Sequence, residues 1–205
     1  MTNNLFNDKY KNLFVIITAV LNIIYFLYSF ITDFPIASVV KEFSARTISS
    51  LSMAFSFVLV LVGFILATTK IYEVAKILIA TAFLLQITPI LANVLVLEIP
   101  KFLIYSSLDK METYISYIIP SSLISLLQIA SLILLAIGFL KKQNNTVILR
   151  LGSIFLIILY LYVCIKELFS SIPDFLHYAK YLLFYISILL LTFNKKAKNE
   201  TIEEN

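Results

Sequence analysis

Six apolar stretches, each close to the length that crosses a bilayer and nearly free of charge, constrain this chain more than any other feature. They cover residues 13–31, 51–69, 77–97, 118–140, 147–165 and 175–193. A helix of ~20 residues rising ~1.5 Å per residue matches a hydrocarbon layer ~30 Å thick. No water reaches backbone amides and carbonyls in that layer, so each stretch must close its own hydrogen bonds as a helix. With 60% of the 205 residues hydrophobic, a water-soluble fold would leave most of this surface wet. The expectation is an all-α, polytopic membrane protein: a single six-helix domain over residues 1–205, arranged as three hairpins.

The connections are too short for a separate soluble domain. Lys9 and Lys11 precede the first stretch in the manner of a signal peptide. That stretch exceeds the ~7–15 apolar residues of a signal, and no small-x-small cleavage site follows it before Asp33, so it reads as an uncleaved anchor. Cys164 is the only cysteine, which rules out an intramolecular disulfide. The three glycines, Gly63, Gly138 and Gly152, form no GxxxG pair. Packing should therefore rest on interdigitated Leu, Ile and Phe rather than on close backbone contact.

Orientation follows from the basic residues. One side of the six stretches carries Lys9, Lys11, Lys70, Lys76, Lys141, Lys142, Arg150, Lys195, Lys196 and Lys198; the other carries Lys41, Arg46, Lys101, Lys110, Lys166 and Lys180. The richer side should face the cytoplasm. Both termini then lie on the cytoplasmic side of a plasma membrane, with residues 195–205 as a short polar cytoplasmic tail. The net charge of +4 serves this orientation, and no nucleic-acid partner is expected; the partners are the lipid bilayer and another membrane protein. Lys166 and Lys180 fall near span ends, where a long aliphatic stem lets the charge reach the headgroups.

Proline and an acid mark each outer loop: Asp33-Phe34-Pro35, Glu98-Ile99-Pro100 and Pro173-Asp174. Ser106 with Asp109 and Ser171 with Asp174 have the spacing of helix starts, serine capping free amides and the acid facing the positive helix end. Ile36, Val39, Val40 and Phe43 repeat at helical spacing, as do Leu108, Met111 and Ile115. Both segments read as short amphipathic helices lying on the outer interface. Tyr28, Tyr105, Tyr114, Tyr117, Tyr178 and Tyr181 fall near the outer boundary, as an interfacial belt would.

Chemistry is thinly represented. No acid, base or histidine falls near a span midpoint, which argues against proton-coupled carriers and voltage sensors. No His-Glu-x-x-His helix is present. His177, the only histidine, could join Asp174 and Ser170 or Ser171, but no nucleophile-elbow sequence supports that grouping. No enzymatic activity, cofactor or metal is expected. What remains is an uncharged polar stripe of candidate site residues: Gln86 and Asn93 in the third stretch, and Ser121, Ser125 and Gln128 in the fourth, with Ser131 continuing it. Matching depths suggest a Gln86–Gln128 hydrogen bond. Pro89 removes a backbone donor, frees the Leu85 carbonyl and should kink the third helix. Thr18 and Asn22 in the first stretch are available to the same network. Such a seam suits hydrogen bonding between these helices; with no reactive constellation, small size and no soluble domain, the expectation is a non-catalytic protein working with other membrane components in assembly, protection or sensing. The alternative is a binding subunit or carrier for a small uncharged solute.

Overall fold

The computed structural model describes residues 5–37, 43–95, 99, 103–104, 111–141, 146–168 and 172–193. Among them there is no strand. After a 3-10 turn at Leu5–Asn7, the helices are α1 (Lys9–Ala37), α2 (Phe43–Thr68), α3 (Tyr72–Leu85), α4 (Ile87–Asn93), α5 (Met111–Leu140), α6 (Thr146–Leu168) and α7 (Ile172–Leu191). Five segments are long and apolar enough to cross a bilayer: Lys9–Ile31, Ser49–Thr68, Tyr72–Asn93, Ser121–Leu140 and Thr146–Leu168. The apolar part of α7, Phe175–Leu191, is shorter.

Consecutive long helices pack side by side, and α7 returns to α1, so that α1, α2, α3, α5, α6 and α7 close a ring in chain order. The outside of this ring is lined by exposed apolar side chains such as Ile17, Leu21, Phe55, Ile77, Leu84, Ile133, Ile158 and Leu183. Its interior holds Asn22, Ser56, Gln86, Ser153 and Ser187 among large aromatics. A soluble bundle reverses that distribution; this one fits an integral membrane protein, with lipid as the outer solvent.

Aromatic rings fill the centre. Phe57 meets Phe184 edge-on at 4.8 Å between centroids, and Phe83 stacks on Phe139 at 5.8 Å. At the N-terminal end, Phe6 enters the ring against Phe64 and Tyr72, and Asn12 Nδ2 ties down the Phe6 carbonyl at 2.6 Å. The same end is laced by basic residues. Arg150 donates through Nε to Thr192 Oγ1 and through Nη2 to the Thr192 carbonyl, and Lys11 Nζ donates to the Phe193 carbonyl. These cations satisfy carbonyls at the C-terminal end of α7 that have no helical partner.

Several expectations are corrected. All three glycines stand at helix crossings. A Cβ on Gly63 would lie 2.6 Å from Ile79 Cγ1, one on Gly138 2.6 Å from Leu149 Cδ2, and one on Gly152 2.9 Å from the Ser131 carbonyl oxygen. Close approach thus sets the α2–α3 and α5–α6 crossings without a GxxxG pair. Asp33, Phe34 and Pro35 belong to the last turns of α1 rather than to a loop. Met111 to Ile115 open the continuous helix α5 instead of forming a separate interfacial helix; Pro120 costs one backbone donor but does not end the helix. Pro173 sits in the first turn of α7, where its missing N–H is harmless. Ser38 to Glu42, Glu98, Pro100, Ser106 to Asp109, Ser171 and the 195–205 tail lie outside the described residues.

Candidate functional site

Pro89 sets the geometry of the polar seam. The helix is interrupted at Gln86, which closes α3 and opens α4. The Leu85 carbonyl that Pro89 leaves without its helical donor accepts a hydrogen bond from Ser52 Oγ of α2 at 3.1 Å. The kink is thereby anchored from a neighbouring helix, and α4 leans toward α2, meeting α5 only sparsely.

Gln86 is completely buried and reaches across the ring. Tyr185 of α7 donates its hydroxyl to Gln86 Oε1 at 2.7 Å, while Gln86 Nε2 has no hydrogen-bond partner. Gln128 turns the other way, its Nε2 donating to Tyr160 Oη of α6 at 2.7 Å. The expected Gln86–Gln128 bond is therefore not made. The two amides are joined indirectly: the Tyr160 and Tyr185 rings stack with centroids 5.5 Å apart. Ring closure by α7 supplies a tyrosine that comparison of sequence neighbours does not bring into range.

The other seam residues line the outer half of the α4–α5 pair. Ser121 and Ser125 are half-buried and Asn93 is exposed. Ser131, one helical turn deeper than Gln128, is buried and bonds back to the Leu127 carbonyl. A sharp difference separates the two halves of the seam. Toward the N-terminal face, Ile79, Phe83, Leu132, Leu135, Ala136 and Phe139 are buried. Toward the other face, no described residue of α4, and none of α5 before Ser131, is buried.

A second cluster adjoins the tyrosines. Tyr160 also stacks on Tyr181 at 5.0 Å, and Tyr181 meets the His177 ring at 5.6 Å. His177 Nδ1 lies 3.0 Å from Tyr25 Oη of α1. The Lys180 ammonium is buried 3.2 Å from the Tyr25 ring centroid and 3.9 Å from that of Phe26, with no hydrogen-bond partner. Tyr181, expected in the interfacial belt, is 4% exposed. Thr18 and Asn22 serve the α1–α7 contact, Thr18 Oγ1 lying 3.1 Å from Ser187 Oγ and Asn22 Nδ2 donating to the Lys180 carbonyl at 3.3 Å.

Tyr160, Tyr185, Lys180 and Ser52 are the residues that the sequence reading missed. Tyr178, Tyr181 and Tyr185 recur at i, i+3 and i+7 on one helix face, and a hydroxyl held inside a membrane helix needs a partner. That periodicity was the available signal. Among the described residues, no three His, Cys, Asp or Glu side chains gather as metal ligands. No protein-family model matches the chain, and neither a curated protein nor a solved structure matches it.

Proposed function

We propose that the chain crosses the plasma membrane six times as three hairpins, with both termini cytoplasmic, and works without catalysis by associating with another membrane component. The partner is a transmembrane helix seated in the outer half of the α4–α5 seam, in an assembly, protective or sensing role. The observation that carries this reading is the outer half of α4 and α5, whose described side chains are half-buried or exposed, set beside the tightly packed inner half of the same pair. A helix pair in lipid gains its stability from packing and interhelical hydrogen bonds. A stretch in which no described side chain is fully buried, and which presents Ser125 and Asn93, offers both to a partner.

A photo-crosslinking amino acid at Ser125 or Asn93, compared with Leu21 on the lipid-facing side of α1, tests this in intact membranes. A discrete protein adduct is expected from Ser125 and Asn93 and none from Leu21. Equal yields from all three positions, or no protein adduct at the seam, would refute it. The carrier reading keeps one supporting feature, the buried and unpartnered Gln86 Nε2 at the floor of the seam. It requires an uncharged solute that accepts a hydrogen bond there, and it predicts thermal stabilisation by that solute which Gln86→Leu abolishes.

A further inference from the structure

A cavity of about 510 Å³ lies at the N-terminal face between α1 and α2, remote from the α4–α5 seam. Its wall is apolar where Phe6, Leu13, Ile16 and Ala67 contribute, and it carries two lysines, Lys9 and Lys70, with no carboxylate among its lining residues. The adjacent acids are engaged elsewhere: Asp8 faces Lys11 at 3.6 Å and Glu73 faces Lys76 at 3.5 Å. Ile16 lies seven helical steps beyond Lys9, so the wall descends roughly 10 Å from the charged rim into the apolar layer. Cationic rim and apolar descent are complementary to a lipid whose phosphate is negative and whose tail is hydrocarbon.

The backbone at Lys70 adds an independent reason. It has φ of 68°, and no other non-glycine among the described residues has a positive φ. The Ile71 amide donates to the Leu66 carbonyl at 3.1 Å and the Lys70 amide to the Ala67 carbonyl at 3.2 Å. This is the helix ending that places a left-handed residue at Lys70, a position where glycine is strongly favoured. A lysine there is held in a costly conformation, and what it supplies in place of glycine is a cation at the rim of the cavity.

We propose that this groove binds an anionic phospholipid of the leaflet at the N-terminal face, its phosphate between Lys9 and Lys70 and an acyl chain along Leu13, Ile16 and Ala67. A lysine near an anionic lipid surface favours binding by about 5-fold, so the pair should give roughly 25-fold selectivity over a zwitterionic lipid of the same chains. The test is native mass spectrometry of the full chain in maltoside micelles. Phosphatidylglycerol, phosphatidylcholine with identical chains and soluble glycerol 3-phosphate are titrated separately. Phosphatidylglycerol should be retained selectively, Lys70→Arg should keep that selectivity, and Lys9→Gln with Lys70→Gly should reduce retention to the phosphatidylcholine level. Glycine suits the left-handed position, so Lys70→Gly alone should melt no lower than the parent while losing about 5-fold in phosphatidylglycerol retention. Equal retention of both lipids by the parent chain overturns the site. So does unchanged selectivity in the double variant, or glycerol 3-phosphate binding as tightly as the lipid, which would remove any role for the apolar wall. None of these outcomes bears on the α4–α5 seam.

Discussion

The Gln86–Tyr185 hydrogen bond offers a sharp test of how polar groups hold this ring together. Both residues are inaccessible, at 0% and 1% exposure, and the bond is 2.7 Å long. Interhelical hydrogen bonds in membranes contribute about 0.6 kcal/mol on average and up to ~1.7 kcal/mol, and this dry site belongs in the upper part of that range. Gln86→Leu breaks the bond and strands the Tyr185 hydroxyl, but it also removes the Nε2 group that already lacks a partner. A loss of about 1 kcal/mol is expected. Tyr185→Phe leaves both polar atoms of Gln86 unmet, with a loss of about 1.5–2 kcal/mol. The double variant leaves no polar atom of the pair in the core and should return close to the parent, a coupling of about 2.5–3 kcal/mol. Reversible unfolding in mixed micelles of maltoside and dodecyl sulfate measures all four proteins. Strictly additive losses would refute the reasoning. Gln86→Leu combined with Gln128→Leu should couple more weakly, because the two amides bond to different tyrosines.

Three further outcomes follow from single contacts. Ser52→Ala should destabilise by about 1 kcal/mol through the unmet Leu85 carbonyl, and this loss should vanish in a Pro89→Ala background, where residue 89 again supplies the donor; equal losses in both backgrounds, read by the same unfolding assay, would sink the anchoring role. Gly152→Ala puts a methyl 2.9 Å from a backbone oxygen, so α5 and α6 must separate at a cost of about 1–3 kcal/mol, seen as a lower melting temperature. Asp8 caps α1, and hydrogen bonds from the Lys11 and Tyr10 amides, the Lys11 amide foremost, hold its carboxyl below the usual carboxylate value. Its contribution to stability is thus full above ~pH 4 and fades as pH falls through the lowered value; Asp8→Asn keeps a capping oxygen and should flatten that part of a melting-temperature profile between pH 3 and 6.

What the sequence conveys and what it withholds divide along the range of the interactions. Gln86 and Pro89 lie on one helix, so the freed carbonyl and the kink are readable from local spacing, and the interruption at Gln86 agrees. Ser52, which takes up that carbonyl, sits one helix earlier, and nothing local marks it. Gln86 and Gln128 share a depth, yet depth does not reveal which helix stands across the ring. That depends on α7 closing against α1, and the closure brings Tyr185 to Gln86 and covers Lys180 with Tyr25 and Phe26. The glycines mislead for a related reason. A GxxxG rule counts spacing on one helix, whereas Gly138 and Gly152 stand on different helices and receive Leu149 and the Ser131 carbonyl from the opposite side.

The α4–α5 seam is the place where the local and the long-range readings disagree most. Its polar residues are laid out as an interface in the sequence, yet among the described residues full burial is confined to the inner half. Gln86 and Gln128, at the boundary, are claimed by tyrosines, while Ser125 and Asn93 beyond it stay on a surface with no buried neighbour in α4 or in α5 before Ser131. Proteins give up internal consistency chiefly where function requires it. In a bilayer, the partner helix proposed above would cover this strip with both apolar surface and hydrogen-bonding groups at the same depth.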